Sequence, residues 1–374
     1  MPEPRIIYID PQSYHNLSVY DYHVLTALAL PVLYLCSSCY DYKPVQGVVQ
    51  KPVFSYNRIG NPLLKALSYA ASLVRVARCI MRTQPRVVHV QWMKMPAVEL
   101  PLYCWLRHRC GFRLVYTAHN VLPHNASASV AGTYARIYRR ADALIVHAEY
   151  SKQQIIQMAG VDADKIYVAR HGLIPQVHQP ITAAQKAEWD TRYRLQGKLV
   201  FASLGEQSHY KGTDLLQRAW LNSPTLRHGN CVLVVAGKQK QINLEPLANC
   251  DNVVMVNRRL SNEEFYYFLS HTDVYVLPYR EISQSGALLT AMAAHVGCVV
   301  SNVGALTEPL QAASVVWPQP AGDAAALQHA LEHLATHPEE VRAMQADTAA
   351  WHRIDEFYSW QNMAEQTRKA YREV

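Results

Sequence analysis

The chain has 374 residues, of which 50% are hydrophobic and 17% are charged. This composition is typical of a folded globular protein and excludes a disordered or low-complexity chain, and the length suggests two domains. The charge is uneven, because residues 1–180 carry 19 Lys and Arg against 9 Asp and Glu, whereas residues 181–374 carry 17 against 20. The basic first half predicts an anionic partner such as a phospholipid, a nucleic acid or a phosphorylated substrate.

Neither an export signal nor a membrane span is evident in the sequence. Residues 1–5 lack the apolar stretch of a signal peptide, and no run of about 18 uncharged apolar residues follows. We therefore expect a cytoplasmic protein, one that can still lie on the inner face of a membrane.

Short β-rich runs alternate with longer helical patterns along the whole chain. The first series of predicted strands covers residues 5–10, 32–36, 87–92, 113–119, 143–148 and 165–171. The second series covers residues 199–205, 231–237, 252–257, 274–279, 298–302 and 314–318. Several of these runs are apolar nearly throughout, which is typical of parallel strands covered on both faces. Since helical patterns separate them, the sequence predicts an α/β fold with parallel sheets and right-handed crossovers.

The series is interrupted once, at residues 173–198, where two prolines and a polar helical stretch replace the strand pattern. We interpret this segment as the link between a first domain, residues 1–178, and a second domain, residues 195–357. The carboxyl ends of parallel strands are then expected to face a cleft between the domains, where ligands of such sheets bind.

The strongest local signal is the segment 203–216, in which a strand leads into a polar loop, then Lys211-Gly212, then an apolar helix. Glycine lets a backbone approach a phosphate closely, and a lysine beside a helix N-terminus adds positive charge. The segment therefore predicts a phosphate site. An ordinary loop with a solvated lysine is the alternative.

A second strand ends in a polar turn at residues 278–289, before a helix of small residues. Ser283, Ser285 and Gly286 would present backbone N–H groups to an anion at the start of this helix. The alternative is a simple N-cap, since serine is a good cap in any case. Two such helix starts in one domain suit a diphosphate better than a single phosphate.

Histidines occur where predicted strands of the first domain end. His119 and Asn120 close one strand, and His171 takes the corresponding place near the predicted junction. A buried histidine with satisfied hydrogen bonds is the alternative to a ligand contact. For His89, inside a strand, we favour a core role.

Other motifs are absent or weak. No G-x-G-x-x-G follows the first strand and no P-loop is present, which disfavours a dinucleotide oxidoreductase and P-loop phosphoryl transfer. We interpret the D-x-D at residues 162–164 as a solvated turn, and no zinc spacing is present, so no metal or cofactor is expected.

Basic residues accompany apolar ones in two stretches of the first half, residues 62–82 and 92–113. The first stretch contains Lys65, Arg75, Arg78 and Arg82. An amphipathic basic helix can lie on an anionic membrane surface, and the alternative is a domain-packing helix with a solvated basic edge. No RNA-binding module is recognisable, so nucleic acid is not expected as a partner.

Several segments, each weak alone, follow one another in a specific order and spacing. They are Val-Val-His-Val-Gln-Trp at 87–92, Thr-Ala-His-Asn at 117–120, Ala-Asp-Ala-Leu-Ile-Val-His at 141–147, His-Gly at 171–172, Tyr-Lys-Gly at 210–212, Val-Ala-Gly-Lys at 235–238, the segment 273–286, and Val-Gly-Ala-Leu-Thr-Glu at 303–308. With these, nearly the whole chain resembles the retaining glycosyltransferases of the two-Rossmann (GT-B) fold, family 4 (glycosyl transferases group 1), of the bacterial polysaccharide type. The resemblance implies two Rossmann-like domains facing across a cleft, with a C-terminal helix, residues 358–374, that crosses back to the first domain.

The resemblance also implies roles for individual residues. Lys211 would contact the diphosphate of a sugar-nucleotide donor, Glu281 would touch the sugar hydroxyls, and His119 would reach the transferred sugar; these are the candidate catalytic residues. The other implied donor-binding residues are Gly205, Ser208, Arg258, Arg259, Leu260, Glu264, Ser283, Gln284, Ser285, Gly286 and Glu308, of which residues 258–260 would meet the nucleobase through their backbone. The implied acceptor-side residues are Tyr14 and Asn16, in a disordered-looking loop at 12–18, and Asn120.

Three places depart from the family pattern, and one of them is the glycine-rich turn common after the first strand, which is missing here. The family usually pairs its acidic residue with a second Glu after seven intervening residues, and counted from Glu281 that place holds Leu289, with Thr290 beside it. An Arg shortly before the Lys-Gly is replaced by Ser208, and Glu206 adds a negative charge near the expected phosphates.

The resemblance implies transfer of a hexose from a nucleoside diphosphate sugar to an acceptor hydroxyl, with retention of the anomeric configuration and without a metal. Lys211 and two helix starts would stabilise the diphosphate leaving group, whose oxygen would take the acceptor's proton. The basic, aromatic first domain favours a lipid-linked saccharide acceptor at an anionic membrane. Two other interpretations stay open: a non-catalytic sugar-nucleotide-binding protein, and a sugar-nucleotide epimerase on the same fold.

Overall fold

Two parallel β-sheets organise the chain, one in each of two units. One unit consists of the residues up to Gly172 together with those from Tyr358 on, and the other is Leu173–Phe357. This computed structural model describes residues 5–122, 127–174 and 181–372, with Asn16 described by its backbone only. The predicted α/β architecture with two parallel-stranded sheets is confirmed.

The strands of the first sheet all run parallel. They are β1 (Ile6–Ile9), β2 (Val32–Ser37), β3 (Val48–Phe54), β4 (Val87–Val90), β5 (Arg113–Thr117), β6 (Ala143–Val146) and β7 (Ile166–Val168). They lie side by side in the order β3-β2-β1-β4-β5-β6-β7. The order therefore reverses between β1 and β4, and ligands of such sheets bind beyond the carboxyl ends of the strands at this point.

The second unit repeats this plan. Its strands are β8 (Leu199–Leu204), β9 (Gln207–Ser208), β10 (Cys231–Ala236), β11 (Gln239–Lys240), β12 (Val253–Val256), β13 (Val274–Leu277), β14 (Gly297–Ser301) and β15 (Val316–Gln319). The main sheet has the order β12-β10-β8-β13-β14-β15, while β9 and β11 pair with each other. Here the order reverses between β8 and β13, so the loops after these two strands are the expected ligand-binding loops.

Helices cover both sheets. Within the described residues they are α1 (Asn16–Leu28), α2 (Pro62–Thr83), α3 (Pro96–Cys110), α4 (Ala128–Arg140), α5 (Glu149–Ala159), α6 (Ala183–Tyr193), α7 (Thr213–Asn222), α8 (Pro224–His228), α9 (Glu245–Ala248), α10 (Asn262–Ser270), α11 (Gly286–Ala293), α12 (Ala324–Thr336), α13 (Pro338–Ala346), α14 (Thr348–Phe357) and α15 (Trp360–Arg372). In the first unit, α2 to α5 pack on one face of the sheet, and α1 and α15 pack on the other. Both faces are buried, which explains the apolar strand runs.

The sequence patterns miss strand β3. Its middle residues, including Lys51 and Pro52, are exposed, and it pairs only with β2 at the edge of the sheet. An edge strand tolerates proline because one side of its backbone has no ladder partner. The polar, proline-containing run therefore carries no strand pattern of its own.

The loop predicted at residues 12–18 is shorter than expected, because α1 already begins at Asn16. A carboxylate from further along the chain holds this helix start. The backbone N–H of His15 donates to Asp41 at 3.0 Å, and the hydroxyl of Ser18 donates to the same carboxylate at 2.6 Å. The disordered-looking loop is thus corrected to an ordered turn at residues 12–15, held by a partner that local sequence does not show.

The C-terminal helix α15 packs within the first unit. The guanidinium of Arg368 donates to the carbonyl of Ala27 at the end of α1 at 2.7 Å. Trp360 stacks on His23 with ring centroids 5.0 Å apart, and it also faces Gly172 so closely that a Cβ there would lie 2.3 Å from the indole. The last residues of the helix reach the sheet, where Tyr371 meets His89.

Helix α6 packs against α10 in the second unit. The hydroxyl of Tyr193 donates to Glu264 at 2.6 Å, and the hydroxyl of Tyr267 donates to Asp190 at 2.9 Å. The start of α6 has a capping box between Thr182 and Gln185, which satisfies the first N–H groups of the helix.

Candidate functional site

The loop after β8 and the turn after β13 are packed tightly on each other. A Cβ at Gly212, where φ is 69°, would lie 1.8 Å from the carbonyl oxygen of Pro278. Likewise a Cβ at Gly304, where φ is 54°, would lie 1.7 Å from the carbonyl oxygen of Ile282. Only glycine fits these left-handed, crowded positions. The loops that follow β8, β13 and β14 therefore form one joined surface at the carboxyl edge of the second sheet.

An arginine locks the first two of these loops together. Arg280 forms two hydrogen bonds of 2.7 Å to the carboxylate of Asp214, and it also donates to the carbonyl of His209. Its backbone N–H donates to the carbonyl of Tyr210 at 2.9 Å. Because both carboxylate oxygens of Asp214 bind the guanidinium, Arg280 holds the two loops together and has no unpaired charge for a ligand.

Lys211 lies at the centre of this surface. Its Nζ is 5.8 Å from the centroid of the Tyr279 ring and would lie 3.8 Å from a Cβ at Gly205. None of the described residues forms an ion pair with it. Burial lowers the pKa of Lys211, and the charge of nearby Glu206 offsets part of that shift. A half-buried ammonium without a counterion is a favourable place for an anion.

The start of α11 adds further positive potential. Ser285 is buried, and its hydroxyl accepts a hydrogen bond from the backbone N–H of Leu288 at 3.2 Å. The N–H groups of Gly286 and Ala287 have no partner inside the helix, as at any helix start. Gly286 is exposed, and a Cβ there would meet nothing within 4 Å. Ser283 and Gln284, which precede the cap, are half-buried.

Gln207 is a residue that sequence reasoning missed. Its amide donates to the carbonyls of Ser203 and Gly205 at 3.0 and 2.8 Å, and it accepts from the hydroxyl of Thr213 at 3.0 Å. It therefore ties the end of β8 to the start of α7. No local pattern marks it, because its partners are two backbone carbonyls and a hydroxyl from the start of the next helix. Ser208 beside it is also buried, and its hydroxyl oxygen has no hydrogen-bond partner among the described residues.

The implied nucleobase segment follows strand β12 at one edge of the second sheet. Arg258 donates to both carboxylate oxygens of Glu264, at 2.6 and 2.7 Å, and Tyr193 donates to the same group. Burial would raise the pKa of Glu264, but these hydrogen bonds hold it below its ordinary value. Both side chains are therefore engaged in holding the turn, and Arg259 and Leu260 form its remaining backbone.

The remaining second-unit predictions are placed as follows. Glu281 is exposed in the turn after β13, and Glu308 is buried at the start of a short 3-10 helix after β14. The Ala305 N–H, in the same loop, donates to the carbonyl of Ser283 at 3.2 Å. Leu289 and Thr290 lie within α11, so this helix carries no carboxylate where the family pattern has its second Glu.

At the carboxyl edge of the first sheet, the predicted His119 belongs to a chain of hydrogen bonds. Its Nε2 lies 2.9 Å from the side-chain oxygen of Gln91, whose nitrogen lies 2.9 Å from Nε2 of His89. The Nδ1 of His89 lies 2.8 Å from the hydroxyl of Tyr371 on α15. On its other side, Nδ1 of His119 lies 3.4 Å from Nε2 of His147. Trp92 stacks on the imidazole face of His119, with ring centroids 4.6 Å apart.

These histidines are uncharged near neutral pH. Burial, followed by the neighbouring histidines, lowers the pKa of His119 well below its ordinary value. Burial is also the main cause that lowers the pKa of His89 to about 3, of His147 to about 4 and of His171 to about 3. Because the carbonyl of Ala169 accepts from Nδ1 of His147 at 2.8 Å, the tautomer of His147 is fixed. The edge is therefore a neutral, pre-oriented polar surface.

The implied acceptor-side residues are less tightly held. Asn120 is exposed, and its carbonyl accepts from the hydroxyl of Tyr138 at 3.4 Å. Tyr14 is half-buried in the 12–15 turn, with its ring 5.4 Å from that of His15. The side chain of Asn16 lies outside the described residues.

Metal-binding clusters and membrane-crossing helices are both absent from the described residues. No cluster of three or more His, Cys, Asp or Glu with a metal-binding arrangement is present there. Likewise, none of the described helices combines the length and the hydropathy that a membrane crossing requires.

Comparison with known proteins identifies the kind of enzyme. The family model "Glycosyltransferase Family 4" matches residues 25–176, and the model "Glycosyl transferases group 1" matches residues 197–337. The protein is a glycosyltransferase of the GT-B type. No curated protein matches the sequence significantly.

Solved structures of other glycosyltransferases share this fold. A glycosyltransferase from Rickettsia africae has a TM-score of 0.72 at 14% identity, covering 100% of this chain and 99% of its own. HepE from Anabaena, in complex with UDP, has a TM-score of 0.71 at 13% identity, covering 99% and 100%. Sucrose-phosphate synthase from Thermosynechococcus elongatus has a TM-score of 0.70 at 15% identity, covering 98% of both chains. At these identities the likeness concerns the fold of the glycosyltransferase, not its substrates.

Proposed function

We propose that this glycosyltransferase moves a hexose from a nucleoside diphosphate sugar to a lipid-linked saccharide acceptor, with retention of the anomeric configuration and without a metal. The observation that carries the donor part is Lys211, a half-buried cation without an ion-pair partner among the described residues. Its Nζ lies 5.8 Å from the ring centroid of Tyr279, in the turn that leads into α11. A diphosphate has the charge and size to take both groups as partners.

The chemistry follows from where charge develops. When the bond between the anomeric carbon and the diphosphate oxygen breaks, negative charge collects on the leaving group. Lys211 and the N–H groups of Gly286 and Ala287 would stabilise that charge, which is the task a metal ion performs in other transferases. The new bond forms between the acceptor oxygen and the anomeric carbon, and the acceptor's proton passes to the leaving diphosphate oxygen.

Retention fits the first sheet edge, which offers no strong base. Both ring nitrogens of His119 already face partners, Gln91 and His147, and the imidazole is uncharged. His119 therefore suits an orienting contact with the sugar rather than removal of a proton. In this proposal, the diphosphate oxygen on the same face as the acceptor serves as the base.

A uridine nucleotide is the first donor to test. HepE from Anabaena, which shares the fold, has been solved with UDP and with UDP-glucose. In this chain the turn of residues 258–260 is held in place by Glu264, which leaves its backbone to meet a base edge.

The lipid-linked acceptor is supported by three neighbouring helices of the first unit. Helices α2 and α4 contain no Asp or Glu, and the only one in α3, Glu99, is 1% exposed and bonded to Tyr69 and the backbone of Met95. Large apolar side chains are exposed among the cations, with Leu63 70% and Leu67 59% exposed. The exposed cations include Arg75, Arg78, Arg82, Arg109, Arg136 and Arg140. Such a surface suits anionic lipid headgroups and the start of the acyl region.

A transfer assay tests the proposal. The protein is incubated with UDP-glucose and a crude anionic lipid extract, and the products are analysed for glycolipid and for the configuration of its new bond. The proposal predicts a glycolipid with the donor's anomeric configuration, in the presence of a metal chelator. An inverted product, or activity that the chelator abolishes, would overturn the corresponding part.

A second candidate is a sugar-nucleotide-binding protein without turnover. It is favoured by Leu289 and Thr290, which leave α11 without a carboxylate for the donor, and by the negative charge of Glu206 near Lys211. Donor binding without transfer across UDP-, GDP- and ADP-sugars would support this candidate over the enzyme.

A further inference from the structure

Two carboxyl groups are buried next to the turn that follows strand β1 in the first unit. Asp10 directly follows strand β1, at the point where the strand order reverses, and Asp21 lies on helix α1. Asp10 is 1% exposed and Asp21 is fully buried. Aspartates are almost never buried to this extent unless they are paired.

The hydrogen bonds around this pair leave one oxygen without a donor. Asp21 accepts from the hydroxyl of Tyr8 at 2.8 Å and from the hydroxyl of Tyr34 at 2.5 Å. Asp10 accepts from the backbone N–H of Gln12 at 2.6 Å through Oδ1, while its Oδ2 is buried without a donor among the described residues. The two carboxyl groups are also close enough to interact with each other. A proton on Asp10 Oδ2 satisfies both groups, because a carboxylic acid donates to a carboxylate.

The surroundings favour this single proton. Burial, followed by the charge of Asp21, raises the pKa of Asp10 well above its ordinary value. Burial also raises the pKa of Asp21 to about 6, although hydrogen bonds from Tyr34 and Tyr8 lower it again. The other titratable groups that face the pair are Tyr8, Tyr20, Tyr34, Tyr40, Tyr56, Cys36 and Lys94. Of these Lys94 alone carries a charge near neutral pH, so the pair holds one proton and one negative charge.

The turn at residues 10–15 is built on Asp10. Besides the bond from Gln12 to its side chain, its carbonyl accepts from the hydroxyl of Ser13 at 3.0 Å, and Ser13 in turn accepts from the backbone of Ser37 at 2.8 Å. The ammonium of Lys94 donates to the side chain of Gln12 at 2.8 Å. A change in the charge of Asp10 is therefore transmitted directly to this turn.

We propose that Asp10 is a positioning residue for the acceptor, and that the proton it shares with Asp21 holds residues 10–15 in the conformation that binds the acceptor. The inference rests on the proposed function and on the acceptor-side role that the family resemblance implies for Tyr14 and Asn16, in and next to this turn. Two ionised carboxylates buried side by side repel each other strongly, so loss of the shared proton at alkaline pH drives them apart and distorts the turn. Acceptor binding then weakens at alkaline pH, while donor binding in the second unit is unaffected.

Isosteric variants separate the effect of the shared proton from the effect of side-chain shape. In Asp10→Asn the amide N–H replaces the shared proton permanently, and the amide oxygen still accepts from Gln12. In Asp21→Asn, the hydroxyls of Tyr8 and Tyr34 and the proton of Asp10 face an amide group. Its oxygen still accepts hydrogen bonds, but its nitrogen only donates. Asp142→Asn is the control, since Asp142 is a first-unit carboxylate that binds Arg107 and the backbone of Leu114 instead.

The kinetic experiment measures acceptor KM and kcat from about pH 6 to about pH 10, with UDP affinity measured alongside. For the unaltered protein and Asp142→Asn we expect acceptor KM to rise at alkaline pH, by up to about tenfold per pH unit once the proton is lost. Asp10→Asn should keep a low KM throughout, and Asp21→Asn should show a high KM at every pH. A rise in Asp10→Asn that matches the unaltered protein would overturn the proposal.

A second measurement does not depend on turnover. Carbon-13 labelling of aspartate carboxyl groups reports their ionisation directly, and the proposal expects one protonated carboxyl at about pH 7 that is absent in Asp10→Asn. Two ionised carboxylates at that pH would overturn it. If UDP binds and the protonated carboxyl is present but no sugar is transferred, the proposed function is wrong and the shared proton is confirmed. The proposed role of Asp10 in acceptor binding is then wrong as well.

Discussion

The carboxyl edges of the two sheets differ in how their charged and polar side chains are paired. In the first unit, the histidines at the edge are uncharged and hydrogen-bonded to their neighbours, as in the chain from Tyr371 through His89 and Gln91 to His119. In the second unit, the arginine is bound by Asp214 but Lys211 keeps no ion-pair partner among the described residues. Hydrogen-bonded, uncharged histidines can orient a ligand without adding charge, whereas an unpaired lysine supplies a positive charge. The contrast supports the proposal that the anionic donor binds to the second unit.

The largest difference between the two sheets should be seen in their stability when the pH is lowered. Because burial lowers the pKa of His89, His119, His147 and His171, each favours the folded state fully above its ordinary pKa of about 6.5 and loses that contribution as the pH falls toward its folded value. Each histidine then costs about 1.4 kcal/mol per pH unit. We expect the hydrogen-exchange protection factors of the β5 and β6 amides, which correct for the pH dependence of intrinsic exchange, to fall between about pH 6.5 and about pH 4.5, before those of β8 and β10.

Asp21 works against this trend without reversing it. Its raised pKa gives stability that is present at low pH and lost as the pH rises toward about 6, so acidification through that range strengthens its contribution. Burial also raises the pKa of Asp10 and raises that of Glu99 to about 7, so three carboxyl groups of the first unit oppose the four histidines and leave a smaller net loss of stability on acidification. Equal acid sensitivity of the two sheets would contradict the proposed contrast between their edges.

Removal of the unpaired cation should have the next largest effect. Lys211→Ala is expected to lower kcat/KM by at least about a hundredfold, as expected for loss of a contact to the charge that develops on the leaving group. The steady-state rate with saturating acceptor measures this. Lys186→Ala is the matched control, because Lys186 is paired with Asp190 on α6 and should leave the rate unchanged. Near-normal turnover of Lys211→Ala would remove this residue from the mechanism.

The packed loops of the second edge can be tested with two glycines. Gly212→Ala forces a side chain into the left-handed region and against Pro278, so we expect a loss of more than about 2 kcal/mol in the unfolding free energy of the second unit. Gly286→Ala places its methyl group in open space and should cost little stability. Urea unfolding monitored in the second unit compares them, and equal stability of the two variants would show that the loops are not held as tightly as described.

The smallest expected effect concerns membrane binding by the first unit. Each exposed arginine near an anionic surface contributes roughly 1 kcal/mol, so the double change R75Q/R78Q should weaken binding to anionic vesicles by about thirtyfold at low salt. The double change R227Q/R342Q, on exposed arginines of the second unit, is the control. Vesicle sedimentation measures both, and a similar loss in the two double variants would argue against a specific membrane face.

The sequence predicts what depends on short patterns. Apolar runs separated by helical stretches suffice for two parallel sheets, because strands covered on both faces are apolar throughout. The Lys-Gly at 211–212 and the cap at Ser285 are likewise visible as residues that follow a strand and precede a helix. These are the parts of the candidate site that could be placed without coordinates.

What the sequence does not reveal depends on distant partners. The edge strand β3 is polar because one of its sides has no neighbouring strand, and the start of α1 relies on Asp41 from a later loop. The bond between Arg280 and Asp214 and the pairing of Asp10 with Asp21 join residues on different elements. No local spacing encodes such contacts, so the geometry that makes Lys211 an unpaired cation is visible only in the folded chain.

The most direct test is a crystal structure of the protein with UDP bound. The account predicts that the diphosphate lies within hydrogen-bonding distance of Lys211 Nζ and of the first N–H groups of α11, with the uracil beside residues 258–260. A diphosphate bound elsewhere, with the Lys211 side chain directed away from it, would contradict the account.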